Sequence, residues 1–390
     1  MKFYTSEPAK KISEFAKEYN FESLRPYYDS ESPEVMKRIS NYEYYQQLMA
    51  YLNPNLSKEE AIEKAVNTKS PYEFQTHFMS NAIWTILNQT STGLTWSGLD
   101  KLDKNTSYLY IANHRDILLD SAILQIILDK EEFETSEITF GENLMQEGFI
   151  TDFGKMNRMV AVKRDGTIKE LYDTSKQLSA YIRHTILDKK VSMWIAQRNG
   201  RTKDGNDITQ TGVVKMLNLS GTKDFKHSIT ELNIVPITIS YEYDTCDKLK
   251  VQELYLLDLQ GTYVKAKNED FNSILAGIKQ PKGKIHVAFG TPIFNELDEI
   301  NKLNNDNEKI KLLTNYIDKQ IHQNYKLNPV NYIAYDILNQ TNIFKTNYTE
   351  NEKNDFINYT NESISELVGE QDVLRNLFIK LYANPIKNKL

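Results

Sequence analysis

At 390 residues the chain can bury one large core or two smaller ones. Its 40% apolar and 26% charged residues are the balance of an ordinary globular fold, and a formal net charge of −6 argues against general nucleic-acid binding. The single cysteine, Cys246, excludes an intrachain disulfide and a cysteine-based metal site, and no run approaches the roughly 20 apolar residues of a membrane-spanning helix.

The opening residues, MKFYTSEPAKK, lack the apolar middle of a secretory signal, so a cytoplasmic protein is expected. Residues 1–94 read as a helical N-terminal region. Ser57 and Glu60 form a capping-box pair at the start of one helix. Phe74, Phe78, Ile83, Ile86 and Leu87 then line one face of the next segment, and Gly93 is expected to end it. The Tyr, Met and Phe stripe of this region is expected to be core, with peripheral contact at the inner face of a membrane as its functional alternative.

From 95 to 300 short β-rich runs at 108–112, 137–140, 159–162, 191–196, 234–240 and 285–289 alternate with helical stretches such as 116–129 and 168–187. That alternation predicts an α/β fold, with a central mixed, largely parallel sheet flanked by helices and helical N- and C-terminal additions. Pro236, inside an apolar run, predicts an edge strand or a bulge. Residues 301–390 return to helix, and there is no internal repeat or long low-complexity linker.

The segment 107–124, SYLYIANHRDILLDSAIL, carries the most chemistry. A strand runs into Asn113-His114 and a helix follows, which is where α/β sheets present ligand sites. An imidazole titrates near neutrality and suits general-base work. Asp116 and Asp120 follow on the predicted helix and point in different directions, so one of them is expected to support His114. Taken alone, a His-x-Asp at a helix start is as well explained by the helix dipole. His77, His184, His227, His286 and His322 are scattered through helical and strand patterns and are expected to pack or face solvent.

Asn113-His114 with a downstream Asp, directly after a strand, resembles the first motif of the glycerol-3-phosphate and 1-acylglycerol-3-phosphate acyltransferases. Three further blocks are similar in order and spacing: MVAVKR at 159–164, WIAQRNGRTKDG at 194–205 and IVPITISY at 234–241. The run KIHVAFGTPI at 284–293 resembles the family's closing strand. The resemblance spans about residues 95–295 and implies an acyltransferase domain over 95–300, with residues 301–390 as a helical C-terminal region.

The resemblance implies transfer of a fatty acyl group from acyl-CoA or acyl-ACP, as co-substrate, to a hydroxyl of a glycerophosphate or lysolipid acceptor. It gives His114 the role of base and Asp120 the role of its partner, with one residue more between them than the family's usual spacing; Asp116 is the stand-in. Arg115, Lys163, Arg164, Arg198, Arg201 and Lys203, with Gly200 in the loop, are the expected acceptor-binding set, because guanidinium and ammonium groups suit phosphate. No metal and no cofactor are implied. Gln197, Arg198 and Asn199 stand where the family carries a glutamate, which points away from ordinary glycerol-3-phosphate specificity while leaving the base in place. A lipid-binding or regulatory protein on the same scaffold, and an N-acyltransferase making an amino lipid, are the alternatives. A kinase reading of His114-Arg115-Asp116, Asp152-Phe153-Gly154 and Val160-Ala-Val-Lys163 fails because the lysine strand comes last instead of first.

Overall fold

The apolar, β-branched runs pair into one sheet, and a strand not expected from the sequence joins them. The computed structural model describes residues 4–52, 55–144, 148–163 and 165–390. Its strands are β1 (Ser91–Ser97), β2 (Leu109–Ala112), β3 (Glu137–Gly141), β4 (Met159–Val162), β5 (Met193–Ala196), β6 (Ile234–Tyr241) and β7 (Gly283–Phe289). They lie in the order β1-β7-β6-β2-β5-β3-β4. β6, β2, β5, β3 and β4 run parallel, while β7 runs antiparallel to β6 and carries β1 parallel to itself. The protein is α/β, with a mixed, largely parallel sheet covered by helices.

Alternate residues of each central strand supply two cores, as the period of two requires. Tyr110, Ala112, Trp194, Val235 and Ile237 pack on one face with the helix Leu119–Lys130. Leu109, Ile111, Met193, Ile195 and Ile234 pack on the other with the helices Ile168–His184 and Asp306–Asn324. All of β2 and β6 is buried, the condition that makes parallel strands read as unbroken apolar runs.

The N-terminal stripe is core. Met36, Tyr45, Met49 and Phe74 pack together with Met156, Phe149 and Phe153 of the helix Phe149–Met156. The last helices, Pro329–Asn339, Glu350–Ser365 and Gln371–Lys389, share a third apolar cluster with Val251.

Three local expectations are corrected. The helix before Gly93 ends at Thr90, and Gly93 sits inside β1, at a register shift against β7. Pro236 is neither at an edge nor in a bulge, since β6 lies between β7 and β2. The antiparallel ladder with β7 ends at the Ile237–Phe289 pair, and the Pro236 carbonyl accepts the Gly290 N–H just beyond it, so the missing donor faces the point where β7 has ended. The helix expected from residue 116 begins at Leu119, which leaves 113–118 as a turn.

Candidate active site

β2 delivers the chain to the carboxyl edge of the sheet, and Asn113 fixes how it leaves. Its amide donates to the Ile239 carbonyl and to Asp207 Oδ2, both at 3.0 Å, and its carbonyl accepts the Ile239 N–H at 2.7 Å. His114 follows in the turn. Its Nδ1 lies 3.0 Å from Asp120 Oδ2, with the side chain 10% exposed. An ionised carboxylate only accepts, so this contact puts the proton on Nδ1 and leaves the Nε2 lone pair as the proton acceptor. The edge of the His114 ring stands 5.9 Å from the Trp194 ring, centre to centre, at 73°.

Of the two candidate carboxylates, Asp120 meets the imidazole. Its Oδ2 also accepts the backbone N–H groups of Arg115 (2.6 Å) and Asp116 (2.9 Å), and its Oδ1 accepts the Tyr241 hydroxyl (2.9 Å). Asp116 turns the other way. Its Oδ1 accepts the N–H groups of Leu118 and Leu119 at the helix start, while its Oδ2 is buried without a partner.

His114 opens onto a cavity of about 370 Å³, a size that suits a small-molecule or lipid-chain ligand. Gly141, Val162 and Ala196, at the carboxyl ends of β3, β4 and β5, form its floor with His114. Its apolar wall includes Ile117, Phe140, Leu171, Leu178, Val213 and Met216. Its polar side is the loop after β5 together with Lys163, Lys265 and Asp270. That loop is bound to the histidine turn through Gln197 N–H to the Ala112 carbonyl (2.8 Å) and Thr202 N–H to the His114 carbonyl (2.7 Å).

Lys163, Arg198, Gly200, Arg201 and Lys203 all line this cavity with His114. Arg201 donates through Nη2 to Ser273 Oγ at 3.1 Å, and its Nη1 is buried without a partner, as are Arg198 Nε and Trp194 Nε1. Three donors without acceptors therefore stand on residues that line one cavity, a set suited to an acceptor-rich ligand. Lys203 is already ion-paired with Glu253. Gly200 adopts φ +72°, a backbone state that favours glycine. Arg164 lies outside the described residues.

Arg115 is not at the cavity. It is 1% exposed, and its guanidinium is committed to Asp207 at 2.7 Å, Asp244 at 2.8 Å and the Gly205 carbonyl at 3.2 Å. Asp244 also takes Lys250, which is fully buried. The expected phosphate contact is therefore a structural ion pair tying the histidine turn to two loops.

The other histidines lie away from the cavity lining: His184 pairs with Asp188, His286 lies between the hydroxyls of Thr95 and Ser97, and His322 contacts the Asp207 carbonyl. Tyr241, Asp207 and Asp244 escape a reading by motif, because strand patterning shows Tyr241 only as core and the two acids only as loop residues. Among the described residues no group of three or more His, Cys, Asp or Glu side chains could hold a metal ion, and no helix is long and apolar enough to cross a membrane.

No family model matches the chain, and no curated protein matches it. Among solved structures, the 1-acyl-sn-glycerophosphate (LPA) acyltransferase PlsC from Thermotoga maritima is similar over 75% of this chain and 94% of its own, at 11% identity and a TM-score of 0.38. The chemistry of the site therefore rests on its own geometry.

Proposed function

We propose that this protein is an acyltransferase that moves a fatty acyl group from a coenzyme A or acyl-carrier-protein thioester to a hydroxyl of a glycerophosphate or lysolipid acceptor. The observation that carries the reading is the His114–Asp120 contact of 3.0 Å on a histidine that lines a cavity with an apolar wall and several basic side chains. The apolar wall suits an acyl chain, and Arg198, Arg201 and Lys163 suit the anionic groups of donor or acceptor.

A thioester carbonyl is already reactive, so the demands on the protein are alignment and removal of one proton. His114 Nε2 takes the proton of the acceptor hydroxyl while its oxygen attacks the thioester carbon. Asp120 steadies the imidazolium that forms. As the tetrahedral intermediate collapses, the carbon–sulfur bond breaks, the ester forms and the thiolate takes the proton back from His114. The N–H groups of Arg115 and Asp116 are spent on Asp120, so they hold the carboxylate and are not donors to the oxyanion.

The test mixes the purified protein with long-chain acyl-CoA or acyl-carrier-protein thioesters and a panel of glycerol-3-phosphate, lysophospholipids and lyso-amino-lipids. Acylated product that disappears in His114→Ala supports the reading and names the acceptor, an amine included. Absence of product from every pair, or a fully active His114→Ala, overturns it and favours a lipid-binding role for the same cavity.

A further inference from the structure

The two oxygens of Asp120 serve different partners. Oδ2 holds the His114 imidazole and two backbone N–H groups, and Oδ1 accepts the Tyr241 hydroxyl at 2.9 Å. Tyr241 ends β6, is 2% exposed and does not line the cavity. Its hydroxyl thus reaches the site through the carboxylate alone. Burial first, and then the Asp120 charge, hold its phenol well above the ordinary range, so it stays a donor wherever the protein works. The same strand holds Asn113 through Ile239, so β6 fixes both the entry to the histidine turn and the far side of its carboxylate.

We infer that Tyr241 is a positioning residue that sets how readily the His114–Asp120 pair releases its proton. The inference rests on His114 acting as the base proposed above. A carboxylate that accepts a hydroxyl hydrogen bond has less charge to offer an imidazolium. With the hydroxyl in place the pair therefore sheds its proton more readily than it would without it. Without it, Oδ1 is left buried with no donor, and the pair binds its proton more tightly whichever member carries it.

The other charged groups around the pair are unchanged by loss of the hydroxyl. Asp116 stands in the turn, Arg115 is held between Asp207 and Asp244, and Lys163, Arg198, Arg201, Lys203 and the Lys265–Asp270 pair line the cavity.

Tyr241→Phe keeps the ring and removes the donor. The His114 ring is followed by NMR in protein carrying ¹³C-labelled histidine, its signal assigned by its absence in His114→Ala. The expected result is a titration midpoint raised by about 0.5–1 pH unit, with the acid limb of acyl transfer moved equally. A purely structural role lowers the melting temperature and the active fraction alike at every pH, and a midpoint that coincides with wild type overturns the inference. Should Tyr241→Phe not fold, site-specific difluorotyrosine at 241, a stronger donor of nearly the same shape, must move the midpoint downward; no movement overturns it. The outcomes separate from those of the base reading, since a fully active His114→Ala defeats that reading whatever Tyr241→Phe does to the midpoint.

Discussion

His114 and Asp120 are six residues apart, and the turn before the helix is what lets their side chains meet. On a continuous helix from 116 that meeting would compete with Asp116, whose carboxylate instead closes the helix start. The two acids therefore have separable roles. Asp120→Asn is expected to lower kcat by roughly 10²–10⁴-fold, because an amide no longer fixes the productive tautomer. Asp116→Asn keeps an acceptor for those two N–H groups and is expected to stay within about tenfold of wild type in rate, with a stability change within about 0.5 kcal/mol. Initial rates and thermal melts on both variants check the pair.

Arg115 belongs to stability. Arg115→Ala leaves Asp207 buried without its cation and Asp244 with Lys250 alone, and is expected to lower unfolding free energy by about 3–5 kcal/mol in urea titrations. The histidine and its acids were legible as residue types in one segment. The role of Arg115 was not, because Asp207 and Asp244 are 92 and 129 residues away.

At the level of elements, the sheet's five parallel strands were readable as apolar runs, while β1 was not. Its residues STGLTWS carry only Leu94 and Trp96 as an inward alternation, and they become a strand because β7 offers an edge. Lys282 stands at that junction. It is fully buried, its backbone N–H donates to the Thr90 carbonyl, and its ammonium donates to Thr90 Oγ1 at 2.9 Å and the Gln280 carbonyl at 2.7 Å. Burial lowers its pKa from 10.5 to about 8. Below about 8 both the folded and unfolded chains hold the proton; above it the unfolded chain holds more, so this residue makes stability rise with pH up to about 10.5. Lys282→Met is expected to remove that rise, on the order of 1–3 kcal/mol. The difference between the stability curves of the two proteins from pH 7 to 10 is the measurement.

Across the whole molecule, the C-terminal helix Gln371–Lys389 reaches the cavity loop. Asn384 donates to the Asp204 carbonyl at 2.7 Å and Asn388 to the Gly205 carbonyl at 3.4 Å. Gly205 has φ +77°, and a Cβ there would lie 2.1 Å from the Leu381 carbonyl oxygen. Gly205→Ala must push helix and loop apart, and is expected to cost about 1–3 kcal/mol and to raise the acceptor KM more than it lowers kcat, because Arg201 and Lys203 ride on that loop. Gly200→Ala, which meets no atom within 4 Å, isolates the backbone cost. Steady-state kinetics with thermal melts on the two variants distinguishes them.

What the sequence determined by itself was local in origin: the apolar runs that must be strands, the histidine at a strand's end, and the basic, glycine-bearing loop at 198–205. Each follows from side-chain period or from a residue's own chemistry, which act over a few neighbours. Only the tertiary structure decided which aspartate meets the imidazole, that Arg115 is an ion-paired strut, that Pro236 can sit in a central strand, and that Tyr241 stands behind Asp120. Those outcomes depend on groups brought together from distant parts of the chain and removed from water, where an unmatched charge or donor is costly enough for the fold to assign it a partner.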